Sequence, residues 1–232
     1  MRWSVRIRRT SMKRLARYSM LIVLMVACWV GTADAQTAAG AAADGWYAEL
    51  TAAATLGHRS DASVGGELGY TWTDEWQLVF EVGRMDNVAT SALDDRAQII
   101  GRAIGASVST VQAATYFDAG LKYRLAPRGT WRPYGMLGLG AARVKNEANF
   151  SVNGNDVTNR LDQFGVQLGS DLAGSVTKFF LTIGVGANRP FGKRYFVDLS
   201  YRYGRIFAKS GAIEDDTGVN TQRVQGGVGI RF

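Results

Sequence analysis

The chain has 232 residues, 47% of them hydrophobic, with three prolines and a formal net charge of +7. A mean hydropathy of −0.07 excludes a bundle of membrane helices, and this hydrophobic content excludes a disordered chain. The pI of about 9.7 would suit a nucleic-acid binder, but residues 1–35 hold 7 of the 27 bases and 1 of the 20 acids, so the remainder carries 20 against 19 and no nucleic acid is expected as a partner.

Those first 35 residues read as a signal peptide, with a basic start, an apolar run from Met20 to Val30 and a small-x-small cut at Ala33 and Ala35 before Gln36. The apolar run is too short to cross a bilayer, which argues for export rather than anchoring. Met12 would open a conventional signal by itself. Residues 36–44 are an alanine-rich lead-in, and the folded domain is expected over 45–232. The one cysteine, Cys28, lies in the leader, so the domain has neither disulfide nor thiol chemistry.

From there the apolar period is two. A first strand is expected from Trp46 to Leu56, with Leu50 and the alanines on one face and Glu49 and Thr51 on the other. Val64, Leu68, Tyr70 and Trp72 of the second oppose Glu67, and Trp76, Leu78, Phe80 and Val82 of the third oppose Glu81. The pattern lapses over Arg84 to Ser107. Val111 to Arg124 resumes it, Phe117 and Leu121 opposing Asp118, Lys122 and Arg124. Ala126-Pro127-Arg128-Gly129 is a turn by its chemistry, and a glycine-rich strand from Trp131 to Val144 is read with Leu137 and Leu139 outward. After a second lapse, Glu147 to Gly174, containing the turn signal Asn153-Gly154, come Val176 to Asn188, with Lys178 on the polar row, and the alternation of Tyr195, Val197, Leu199 and Tyr201 with Asp198 and Arg202. A third lapse precedes the last strand, where Val224, Val228, Ile230 and Phe232 oppose Arg223, Gln225 and Arg231.

The fold class is therefore all-β: an eight-stranded antiparallel up-and-down transmembrane barrel, each strand near the length a tilted span requires. Short helices or an extra pair of strands in the lapses, making ten, stay open as alternatives. A soluble barrel would alternate too, with its apolar face inward. Clustering of Trp46, Trp72, Trp76, Tyr123, Trp131, Tyr195 and Phe232 at one set of strand ends, as an aromatic girdle, favours lipid outside. Connections after the second, fourth and sixth strands, at that end, are short and those after the third, fifth and seventh are long, so the girdle is expected at the periplasmic side.

WRPYGMLGLGAA (Trp131 to Ala142), YFVDLSYRYG (Tyr195 to Gly204) and VQGGVGIRF (Val224 to Phe232) resemble the OmpA-type superfamily of small outer-membrane β-barrels, with its opacity-type and OmpX-like members. The resemblance implies integral location in the bacterial outer membrane. It also implies contact with lipid and lipopolysaccharide, and insertion by an assembly machinery that reads Val224, Val228, Ile230 and Phe232. A monomer is expected, with host or surface ligands met through the loops. The periplasmic peptidoglycan-binding domain of full-length OmpA is not expected after Phe232.

Eleven charges fall on the inward rows: Glu49, Glu67, Glu81, Asp118 and Asp198 against Lys122, Arg124, Lys178, Arg202, Arg223 and Arg231. An eight-stranded interior is filled by side chains, so this network reads as a salt-bridged plug before it reads as the gate of a narrow porin-like channel. His58, the one histidine, stands in a short loop without an identifiable nucleophile, and Asp94-Asp95 and Glu214-Asp215-Asp216 read as solvated loop acids. No catalytic, cofactor or metal site is assigned. The expected function is a structural or surface-interaction, adhesin-like role, with a narrow channel as the alternative and a lipid-modifying enzyme behind both.

Overall fold

The computed structural model describes residues 45–169, 172–208 and 218–232. The signal peptide with Ala33, Ala35 and Gln36, the lead-in over 36–44 and the acids Glu214 to Asp216 lie outside the described residues.

The alternation folds into eight long strands: β1 (Gly45–Leu56), β2 (Asp61–Thr71), β3 (Trp76–Met85), β4 (Ser107–Arg124), β5 (Arg132–Val152), β6 (Gly174–Phe191), β7 (Tyr195–Ile206) and β8 (Val219–Arg231). Each pairs antiparallel with its neighbour in the chain, and β8 closes on β1 from Tyr47↔Arg231 to Leu56↔Gln222. Closure leaves no open edge along the wall, the condition for a sheet in hydrocarbon, where each unpaired amide costs several kcal/mol. Leu50, Phe117, Leu137, Ile183 and Val228 are exposed on the outer face, while Glu67, Asp118, Arg202 and Arg223 are buried inside.

The connections after β2, β4 and β6 gather with both ends of the barrel at one end, the aromatic end; those after β1, β3, β5 and β7 leave from the other, the loop end. β4 and β5 run further toward the loop end than their alternation alone predicts. β4 starts at Ser107 and β5 continues to Val152, so residues 107–113 and 145–151 form a ribbon of about 20 Å at 3.4 Å per residue. Asn153 and Gly154 turn the chain back at the end of β5 with φ of 51° and 83°, the left-handed pair that a two-residue hairpin turn demands. A two-residue strand, Asn155–Asp156, folds back on β5 and leads into a 3-10 helix, Thr158–Phe164.

Between β3 and β4 the lapse in alternation is a helix, α1 (Ser91–Ala103). Thr90 caps it, Oγ1 accepting from the Leu93 amide at 3.3 Å, and Asp94 sits in the first turn where negative charge meets the helix dipole. Leu93, Ala97, Ile100 and Ile104 recur at helical spacing and pack with Val108, Ala148 and Phe150 of the ribbon, and with Leu161 and Leu172. Gly101 permits the approach: a Cβ there would lie 2.2 Å from Val108 Cγ2. The lapses thus hold helices and a strand extension. Among the described residues no further pair of strands enters the barrel, which removes the ten-stranded alternative.

Candidate functional site

The pleat turns one residue in two into the lumen, and register decides which of these meet. Glu49, Glu67, Glu81 and Asp118 are direct cross-strand partners in sequence, Glu49↔Glu67, Glu67↔Glu81 and Glu81↔Asp118, so β1 to β4 present one row of four carboxylates. Like charges in such a row repel. Opposite them Arg202 and Arg223 are registered partners on β7 and β8. The acidic wall and the basic wall face each other across the lumen.

Bases reach acids across that space rather than along the sheet. Lys122 Nζ lies 2.5 Å from Glu67 Oε1, Arg202 Nη2 lies 3.2 Å from Glu67 Oε2, and Arg223 Nη1 lies 3.0 Å from Glu81 Oε1. Three tyrosines complete the layer: Tyr47 donates to Glu67 at 2.6 Å, Tyr116 to Glu81 at 2.7 Å and Tyr134 to Asp198 at 2.7 Å. Lys122 also sits 4.5 Å from the Tyr134 ring centre, and Arg223 4.4 Å from that of Tyr116. Thr182 donates to Asp118 at 3.3 Å. Glycines make room for these long side chains. A Cβ on Gly184 would stand 2.5 Å from Arg202 Cδ, and one on Gly227 1.9 Å from Glu49 Oε1.

The layer is more acidic than basic, five carboxylates against three cations, and several of its atoms have no protein partner: Glu49 Oε2, Glu81 Oε2, Asp118 Oδ1, Asp198 Oδ2 and two nitrogens each of Arg202 and Arg223. Buried polar groups of this kind require water. Apolar side chains lie on both sides of the layer. Toward the loop end Met85, Tyr116, Val144, Phe180, Ile206 and Val219 belong to one buried cluster; toward the aromatic end Tyr47, Val79, Met136 and Phe196 form another.

Two of the eleven expected charges lie near the aromatic end, away from this layer: Arg124 is buried and donates to the Thr73 carbonyl at 3.1 Å, and Arg231, half-buried, lies 5.0 Å from the Phe196 ring centre. Lys178 is half-buried opposite Ala142, toward the loop end. All three share the inward parity.

The aromatic residues occupy one rim. Trp76 and Tyr123 are registered partners with ring centres 4.8 Å apart, Trp46 lies 5.2 Å from Tyr70, and Tyr195 stacks on Phe191 at 5.7 Å. Trp72 and Phe232 are exposed at the same end, where the Phe232 amide donates to the Trp46 carbonyl, and Trp131 is half-buried in a bridge to Arg128. Tyr70 and Phe191 extend the ring beyond the expected seven. Val224 and Val228 of β8, and Phe232 just past its end, are exposed, with Ile230 half-buried.

At the loop end the structure makes a site that sequence reading misses. Asp94, expected as a solvated loop acid, is buried in α1 and serves as a hub: His58 Nε2 lies 2.8 Å from Oδ2, Arg59 donates Nε and Nη2 to the same oxygen at 3.2 and 2.8 Å, and the Thr110 hydroxyl donates to Oδ1. This clasp ties the β1–β2 connection to α1 and β4. The helical spacing around Asp94 was the available signal, since it puts Asp94 beside Leu93 and Ala97 on the buried side. Among the described residues no group of three acids, histidines or cysteines could hold a metal.

The family model for the outer membrane protein beta-barrel domain matches residues 21–232 of this chain. Among solved structures, Neisserial surface protein A is 18% identical, with a TM-score of 0.53 over 81% of this chain and 97% of that one. The N-terminal β-barrel domain of OprF from Pseudomonas aeruginosa is 19% identical, with a TM-score of 0.45 over 80% and 97%. Ail, the attachment invasion locus protein of Yersinia pestis, is 18% identical, with a TM-score of 0.44 over 82% and 99%. No curated protein sequence matches the chain. At these identities the structural likeness concerns the fold alone.

Proposed function

The chain belongs to the outer membrane protein beta-barrel domain family and is an integral outer-membrane β-barrel; from that premise we propose that its lumen is a closed, salt-bridged plug and that its work is done at the loop end, facing outward, as a structural or surface-interaction protein of the adhesin-like kind. The observation that carries this is the division of labour along β4 and β5. Inside the wall their inward side chains fill the lumen, and beyond it the ribbon has an apolar core of its own under α1. A lumen capped by buried apolar side chains resists wetting, and a structured lobe beyond the wall is an investment a plain pore does not require. The aromatic rim would then face the periplasm, lipid and lipopolysaccharide would surround the wall, and β8 would carry the signal read by the assembly machinery.

A second reading, a narrow channel, draws on the unpartnered atoms of the charged layer, because water held there is the beginning of a conducting path. Conductance in a planar bilayer separates the two. The wild-type protein should be silent, and Arg202→Ala and Arg223→Ala should remain so while the apolar layer is intact. Reproducible openings altered by either substitution would replace the plug with a gate. An enzymatic role finds little support, since His58 spends Nε2 on a carboxylate already shared with Arg59.

A further inference from the structure

The mouth of the barrel at the aromatic end is basic. Three strands each turn an arginine inward there: Arg124 at the end of β4, Arg132 at the start of β5 and Arg231 at the end of β8. The facing of Arg132 follows from Tyr134 and Met136, buried on the same side of β5. Arg132 and Arg231 lie near enough to repel Arg124, and Arg132 repels Arg231 in turn. We propose that this mouth binds a phosphate group, held between Arg124, Arg132 and Arg231.

Among the described residues none of the three is ion-paired. The charge of Asp74 reaches Arg124, but Asp74 is exposed in its turn and closes no ion pair with it. Arg124 donates Nη2 to the Thr73 carbonyl at 3.1 Å and Arg132 donates Nη2 to the Asp74 carbonyl at 2.9 Å, contacts that position both guanidinium groups and neutralise neither. Nε of each is buried without a partner, and Arg124 as a whole is only 5% exposed. Arg231 rests against the Phe196 ring and, among the described residues, gives no guanidinium nitrogen to a protein acceptor. Like charges gathered at a partly buried site without a counter-ion are costly, and an anion removes that cost.

The rest of the mouth suits the same occupant. Thr71, Gln77 and Asn188 bring polar, uncharged groups, Asn188 as the registered partner of Arg132, and Tyr47, Val79, Met136 and Phe196 make an apolar floor toward the lumen. Three cations arriving from three strands select the class. A phosphate spreads its oxygens over a tetrahedron and carries up to two negative charges, so it can accept from all three, whereas a carboxylate offers two oxygens in one plane and a single charge.

This site lies at the opposite end from the loops, so it goes beyond the surface role and holds whether the lumen is a plug or a channel. Calorimetric titration of the protein purified from outer membranes into neutral detergent tests it. Glycerol 3-phosphate should bind saturably, glycerol should not at the same concentrations, and acetate should bind about tenfold more weakly or not at all. Arg132→Gln should weaken glycerol 3-phosphate binding about tenfold, the loss expected for one charge-assisted contact, and Arg231→Gln should do the same. Arg84→Gln, exposed near the loop end and paired with Asp86, should leave it unchanged. Folding of each variant is checked by heat-dependent gel migration. Absence of saturable binding overturns the site, as does acetate binding as tightly or indifference to both Arg132→Gln and Arg231→Gln. Nanodiscs then identify the source. Binding lost in phosphatidylglycerol but kept in phosphatidylcholine assigns the mouth to a lipid headgroup, binding kept in both assigns it to a soluble phosphate, and binding lost in both overturns the site.

Discussion

β4 and β5 obey opposite rules along their length. Between the aromatic rim and Arg143, Phe117, Leu121, Leu137 and Leu139 are exposed on the outer face while Asp118 and Lys122 are buried inside. Past Arg143, in the ribbon, the outer face carries Lys145, Glu147, Asn149 and Ser109, and Ala148 and Phe150 are buried on the inner face under α1. The backbone geometry and the pairing are unchanged across the boundary, from Arg124↔Tyr134 to Ser107↔Ser151. What changes is the solvent outside. The reversal at Arg143 and its registered partner Thr115 therefore marks where hydrocarbon gives way to water, a boundary that no helix or turn announces.

Substitutions on either side should break or sharpen this contrast. The largest effect is expected in the lumen, with Glu67→Ala. It strands Lys122 and Arg202, both almost fully buried, and removal of one side of a buried ion pair costs about 3–5 kcal/mol. Urea unfolding in lipid vesicles should show that loss, and a shift below about 1 kcal/mol would mean that water satisfies the two bases unaided.

Next comes the outer face itself. Leu139→Arg places a charge on the wall between Ala119 and Leu181 and should cost about 2–4 kcal/mol, whereas Asn149→Arg, ten residues on along the same face, should cost almost nothing. Equal effects of the two in the same assay would remove the boundary drawn at Arg143. A smaller loss is expected for Asp94→Asn, which keeps the shape of the clasp but halves its attraction for Arg59. About 1–2 kcal/mol of local stability should go, seen as faster proteolysis around α1 with the barrel still resistant. Faster cleavage of the barrel wall as well would mean that the lobe and the wall unfold together.

Much of the wall was legible before any coordinates. The facing of Glu49, Trp76, Phe117 and Leu139, the antiparallel order and the closing position of β8 all follow from period two and short turns. The large inward residues were visible too: Phe180, Phe196 and Tyr116 sit on the polar rows, and their share of those rows is what closes the lumen with apolar layers. The ribbon was harder. Beyond Val144 the alternation continues with its polarity reversed, Lys145, Glu147 and Asn149 outward, so a reading tuned to apolar outward rows ends the strand eight residues early. α1 was hidden for a related reason, its stripe of Leu93, Ala97, Ile100 and Ile104 having a period of 3.6 in a chain read with a period of two.

The partners inside the lumen belong to neither class of signal. Lys122 meets Glu67, two strands away, in preference to its registered neighbours Gln77 and Met136, and Arg223 meets Glu81 from the far side of the barrel. Parity is a property of the pleat, settled residue by residue along one strand, so the sequence by itself determined the eight strands of the wall, their faces and the outer-membrane barrel. Which charges touch depends on the tilt and stagger of strands once the sheet has closed, and on how far each side chain reaches across the lumen. Likewise Asp94 comes to His58 and Arg59 only because α1 docks on the ribbon. Those contacts join residues 35 or more positions apart, and only the tertiary structure could decide them.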